Sequence, residues 1–178
     1  ARPWVSMLNA ALLAAVALVL TRCVDLSEAV RNVNWNVLLV IGAALGIGEA
    51  MGNSGAAALI GGQIMALAAD QPLLALIGIY LLTSVTTEAI TNNAAAVLIF
   101  PVAIAGAEMI GVSPTPFVVA IMVAASAAFA TPIGYQTNLM VYGPGGYRFL
   151  DYVRFGLPLN LLVMALAIAI IPQVWPLQ

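Results

Sequence analysis

The sequence predicts an all-α polytopic membrane protein built from transmembrane helices, a re-entrant helical hairpin and an unwound, discontinuous transmembrane helix. Three observations carry this. Of 178 residues, 63% are hydrophobic and only 7% charged, with a mean hydropathy of +1.09, whereas soluble domains are roughly a quarter charged. Three apolar stretches approach the roughly 20 residues that cross a hydrocarbon core about 30 Å thick. Between them lie shorter apolar stretches interrupted by glycine, proline and polar residues, the pattern of helices that end inside a membrane.

The same composition excludes several classes of function. Five arginines against seven acids give a net charge of −2, too weak and of the wrong sign to grip nucleic acid. The absence of histidine and the single cysteine, Cys23, remove His/Cys zinc sites, Ser-His-Asp or Cys-His nucleophile pairs and any internal disulfide. No acid pair or nucleophile–base set falls at helix spacing within the apolar stretches, so no enzyme is expected.

The elements follow in order. Val5–Leu20, flanked by Trp4 and Thr21, predicts a scaffold helix over 4–21. The chain begins at Ala1 and reads as a fragment or processed piece; a secretory signal with Arg2 as its charged start is set aside because more membrane follows. A second scaffold helix covers 36–52, opened by Trp35 and interrupted only by Glu49 near its end. Alanine- and glycine-rich 54–70 reads as an arm or interfacial helix. Leu73–Leu82 is apolar for ten residues, about 15 Å of helix. It runs into Thr83, Ser84, Thr86, Thr87, Glu88, Thr91, Asn92 and Asn93, and Ala94–Ala107 is apolar again. A re-entrant hairpin over 73–110 is expected, its tip in 83–93. Phe117–Ala130 followed by Thr131-Pro132-Ile133-Gly134-Tyr135-Gln136-Thr137-Asn138 predicts a discontinuous helix over 116–142, broken at 131–138. Gly143-Pro144-Gly145-Gly146 is a tight loop. Phe155–Ile171, with Pro158 and Asn160 early in it, predicts a last, scaffold-like helix over 155–172.

The two breaks suggest complementary chemistry. Thr91, Asn92 and Asn93 stand where N-capping residues belong, before a helix whose free N–H groups and positive dipole end suit an anion. No buried arginine is then needed. The second break leaves carbonyls of a helix end unpaired, and with hydroxyl and amide oxygens these suit a small hard cation such as sodium. The plainer readings are a cap in an extramembrane loop and a proline kink. Glu88 sits at a depth where an ionisable group is a functional candidate; it completes a coupling site or hydrogen-bonds the hairpin backbone. Glu49 and Glu108 read as solvated interfacial carboxylates. Loops 21–34 and 143–155 hold Arg22, Arg31, Arg148 and Arg154, while 53–72 and 108–116 hold none, which places the first pair in the cytoplasm and the C-terminus outside. Cys23 then lies in a cytoplasmic loop without a role.

Thr87-Glu88-Ala89-Ile90-Thr91-Asn92-Asn93-Ala94 through Pro101, then Ala130 to Asn138, Val141 to Tyr147 and Arg154-Phe155-Gly156-Leu157-Pro158-Leu159-Asn160, resemble the C-terminal half of the divalent anion:sodium symporter family. The resemblance covers essentially the whole chain. It implies one half of an inverted-repeat secondary transporter in the cytoplasmic (inner) membrane, dimeric and completed by a missing N-terminal repeat. It implies sodium as the coupling ion with no other cofactor. It places substrate on Thr91, Asn92, Asn93, Thr137 and Asn138. Sodium falls on Thr87, Ile90, Asn92, Gly134 and Gln136, mostly through backbone oxygens. The family's tip is commonly Ser-Asn-Thr, so Asn93 replaces a hydroxyl by an amide. The Tyr-Gln-Thr-Asn form resembles the sulfate-permease-like branch and favours sulfate. Other readings are a dicarboxylate (succinate/citrate-type) symporter, a cation:proton antiporter or arsenite-type exporter using Glu88, and a channel or structural subunit.

Overall fold

The computed structural model describes residues 6–31, 33, 35–68 and 71–178. Arg2, Trp4, Val5 and Asp70, and with them the outer ends of the helices expected over 4–21 and 54–70, lie outside the described residues. The chain divides into two compact units, Ala1–Leu38 and Leu39–Gln178. The first holds α1 (Met7–Leu20) and α2 (Leu26–Arg31). Ser6 caps α1 by accepting the Asn9 N–H at 3.2 Å. The short α2 falls where the sequence suggested only a loop. α3 (Trp35–Asn53) begins in the first unit and ends in the second.

The second unit contains α4 (Ala56–Leu67), α5 (Pro72–Ala89), α6 (Asn92–Met109), α7 (Thr115–Ser126), α8 (Gln136–Tyr142) and α9 (Phe149–Val174). Its core lies where α5, α6 and α7 meet, around Leu76, Ile79, Tyr80, Val102, Phe117 and Ile121. α4 packs on α6 through small residues: a Cβ on Gly61 would stand 3.1 Å from Val102 O and 3.2 Å from Gly106 N, an approach that larger side chains would forbid. α9 packs on α7 and α5.

Three expectations are corrected. The polar run from Thr83 is not the hairpin tip, because α5 continues through it to Ala89. The hydroxyls of Thr83 and Thr86 donate to the carbonyls of Ile79 and Leu82 at 2.8 and 2.7 Å, which satisfies them without leaving the helix. The tip shrinks to Ile90 and Thr91. α5 and α6 each have 18 residues, about 27 Å of helix, so both, with α9, are long and apolar enough to cross a membrane.

The break starts earlier than polarity suggested, at Ala127, and ends at Tyr135, so that Gln136, Thr137 and Asn138 lie on α8. Pro132 accounts for much of this. It has no N–H to give, its ring would clash with the Ala128 carbonyl in a continuing helix, and it pushes Thr131 out of the helical region. Finally, α9 starts six residues before the expected position 155, because the Arg148 N–H donates to Asp151 Oδ2 at 2.7 Å and caps it there. The 143–146 stretch is the expected tight loop, with Gly146 at φ 63°.

Candidate functional site

The tip is assembled from neighbours in sequence. Ile90 is extended, and Thr91, with φ −67° and ψ 150°, caps α6 by accepting the Ala94 N–H on its Oγ1 at 3.4 Å. Asn92 Oδ1 accepts the Asn93 N–H at 2.8 Å. Ile90, Thr91 and Asn93 are exposed and Asn92 is half-buried. The site therefore offers a hydroxyl, two amides and, among the described residues, one unbonded backbone N–H, that of Asn92, at the positive end of an 18-residue helix.

The break is assembled from residues far apart in sequence. Thr87, fully buried, donates from Oγ1 to Ala125 O at 3.0 Å, which ties α5 to the end of α7. Glu88 Oε1 accepts the Ala130 N–H at 2.9 Å and Asn160 Nδ2 at 2.7 Å. Asn160 Oδ1 in turn accepts the Phe129 N–H at 3.2 Å. Thr131 Oγ1 donates to Glu88 O at 2.9 Å and accepts the Gly134 N–H at 3.1 Å. Asn138 Nδ2 donates to the carbonyls of Ala128 and Thr131 at 2.8 and 3.1 Å, and the Tyr152 hydroxyl donates to Asn138 O at 2.9 Å. Glu88 thus bonds backbone, but that of the break rather than that of the hairpin.

The outcome is a partly paired backbone. The N–H groups of Phe129, Ala130 and Gly134 are all taken up by oxygens of Asn160, Glu88 and Thr131. Among the described residues, no hydrogen bond reaches the carbonyls of Ala130, Pro132, Ile133 or Gly134. Glu88 Oε2 is buried and likewise has no hydrogen-bond partner among them. A Cβ on Gly134 would stand 3.0 Å from Thr87 O and 3.1 Å from Glu88 Oε2, so glycine lets the break approach the last turn of α5. The unpaired carbonyls of this unwound backbone are suited to a cation, and in the same stretch the N–H groups of Ala128, Thr131, Ile133 and Tyr135 have no hydrogen-bond partner among the described residues either.

Of the residues expected to hold sodium, Thr87 and Gly134 are brought together, Ile90 and Asn92 lie at the tip, and Gln136 is exposed at the start of α8. Of those expected to hold substrate beyond the tip, Thr137 is exposed and Asn138 has its amide N–H groups committed to the break. Glu49 and Glu108 are exposed beside a separate cleft of about 450 Å³.

The family profile described as Citrate transporter matches residues 3–112, through the end of α6. The chain belongs to the citrate transporter family. Among relatives, the probable sodium/sulfate cotransporter 3 of Chlamydomonas reinhardtii is 35% identical over 98% of this chain and 20% of its own length. The transporter YfbS of Escherichia coli is 35% identical over 94% of this chain and 28% of its own length. The sodium-dependent dicarboxylate transporter SdcS of Staphylococcus aureus is 27% identical over 84% of this chain and 29% of its own length. The chain therefore spans between a fifth and three tenths of these relatives. The family and its members are transporters, not enzymes, and the apolar helices make this citrate transporter family segment part of an integral membrane protein.

Three contributors to the family member's break carried little signal in the sequence. Asn160, 8% exposed, is a polar residue inside an apolar helix, which marks it only as needing a partner. Gly156 lies one turn earlier, and a Cβ there would run into the backbone of Phe129 and Ala130. Tyr152 lines a cleft of about 430 Å³ with Phe129, Asn138 and Gly156, open beside the break.

Proposed function

We propose that the chain is the part of a sodium-coupled symporter that holds a divalent oxyanion at the hairpin tip and sodium at the break, with sulfate the favoured anion. The observation that carries this is that a helix start rich in polar side chains lies next in sequence to the residue that holds an unwound stretch with unpaired carbonyls. The Thr91 hydroxyl, the Asn92 and Asn93 amides and the unbonded Asn92 N–H stand at the start of α6, and unpaired carbonyls lie in the stretch that Glu88, three residues before Thr91, holds against α5. Thr91, Asn92 and Asn93 bind the anion, helped by the dipole of α6 and the exposed Thr137 hydroxyl. Backbone oxygens of Thr87, Ile90 and Gly134, with Asn92 and Gln136, hold sodium. Asn138 braces the break.

Bound sodium offsets the charge of a dianion brought to midplane depth and orders the tip, so that only the loaded site is ready to move. The α5–α6 pair acts as a re-entrant hairpin, and the arginine-bearing loops 21–34 and 143–155 face the cytoplasm. A preceding inverted repeat supplies the other half of the site, and the assembly is a homodimer. The names of the Chlamydomonas relatives, sodium/sulfate cotransporters, support sulfate; that of the Staphylococcus relative supports dicarboxylates as the second reading.

The test is radiolabelled sulfate uptake into proteoliposomes carrying the full-length protein that contains this segment, with and without an inward sodium gradient and with unlabelled succinate as competitor. Saturable, sodium-driven uptake that succinate leaves intact is the expected result. Competition by succinate moves the substrate to dicarboxylates, and uptake indifferent to sodium removes the coupling assignment.

A further inference from the structure

An unwound stretch has no helical or sheet ladder, so the direction of its carbonyls is set by whatever holds its N–H groups. In the break two consecutive amides are held by two side chains that also hold each other: Phe129 by Asn160, Ala130 by Glu88, and Glu88 by Asn160. Because each peptide unit is planar, fixing these N–H groups orients the carbonyls of Ala128 and Phe129. It also sets the direction in which the chain leaves them toward the unbonded carbonyls of Ala130, Pro132, Ile133 and Gly134.

A side-chain amide donates to a carboxylate from its nitrogen and accepts an N–H on its oxygen. Asn160 does both while 8% exposed. Gly156, one turn away on the same face of α9, lets that helix press directly on Phe129. The partners are separated by 31 residues for Asn160 to Phe129 and 72 for Asn160 to Glu88, so nothing local would restore the arrangement once the amide is lost.

We propose that Asn160 is a positioning residue for sodium: acting through Phe129 and Glu88, it sets the affinity of the break for the ion without touching the ion or the anion. This rests on the sodium-coupled reading above. Asn160→Asp preserves shape and the acceptor for Phe129 and, in its ionised form, removes the donor to Glu88 and turns a second carboxylate toward it. Asn160→Ala removes both bonds.

The experiment uses the full-length protein in proteoliposomes and measures two quantities for each variant: sodium half-saturation of sulfate uptake, and sulfate KM at saturating sodium. Both variants should raise sodium half-saturation by about tenfold or more while sulfate KM at saturating sodium stays within about twofold. Should Asn160→Ala fail to purify as a monodisperse species, the isosteric Asn160→Asp carries the test. An Asn160→Asp protein with unchanged sodium half-saturation, or with sulfate KM alone raised, overturns the proposal. So does one that fails to assemble, since Asn160 would then be a folding element. Uptake by the unsubstituted protein that ignores sodium overturns the sodium-coupled reading, and this inference with it; a defect confined to the variants leaves that reading standing.

Discussion

The hairpin tip and the break are built in opposite ways. At the tip, the side-chain bonds join residues one and three apart, Asn92 to Asn93 and Thr91 to Ala94, and most of the side chains are exposed. At the break, the bonds that fix Phe129 and Ala130 reach across 31 and 42 residues and are part-buried. A capped helix start needs only the right residues in order, because its side chains bond to the N–H groups next to them. A carbonyl-rich unwound stretch has to be imposed on a sequence that would otherwise continue as a helix, and that takes partners from other elements.

Substitutions can break this contrast. The largest effect is expected from Gly156→Ala, whose new Cβ meets the backbone of Phe129 and Ala130 rather than a side chain that can swing aside. A loss of about 3 kcal/mol or more in unfolding free energy is expected, read by chemical denaturation of the purified full-length protein. Glu88→Ala comes next. It strands the Ala130 N–H and the Asn160 amide in a part-buried setting and should cost about 2–3 kcal/mol, together with a rise in sodium half-saturation.

Thr87→Val removes one buried hydroxyl bond to Ala125 O without changing shape and should cost about 1 kcal/mol in the same assay. Thr91→Ala sharpens the contrast from the other side. Its 3.4 Å capping bond is long, so stability should fall by only about 0.5–1 kcal/mol. Sulfate KM should nevertheless rise steeply in the uptake assay, since an anion-facing hydroxyl is lost. A Thr91→Ala protein that keeps its sulfate KM would detach the tip from the anion.

What was legible in the sequence follows the same division. Thr91, Asn92 and Asn93 announced a helix start by residue type alone, and α6 begins at Asn92. The apolar stretches announced helices, and the glycine-proline stretch at 143–146 announced its turn. Thr83 and Thr86 look like unwinding by polarity alone, but their hydroxyls return to carbonyls of their own helix. Ala127 to Ala130 are the reverse case: four apolar residues are unwound, since Pro132 forbids the next turn and Glu88 and Asn160 capture the freed amides. Gly156 and Asn160 could be recognised as a pair only once α9 was seen against Phe129, because their meaning lies in a contact that no spacing along the chain encodes.

The division of labour between tip and break is tested most directly by hydrogen–deuterium exchange on the full-length protein, comparing the peptides that cover 90–95 and 127–135 under four conditions: no addition, sodium alone, sulfate alone, and both. Sodium alone should slow exchange in 127–135, and sulfate should slow exchange in 90–95 only when sodium is present. Protection of 127–135 by sulfate without sodium, or no response of that segment to sodium, would contradict the assignment of the ion to the break.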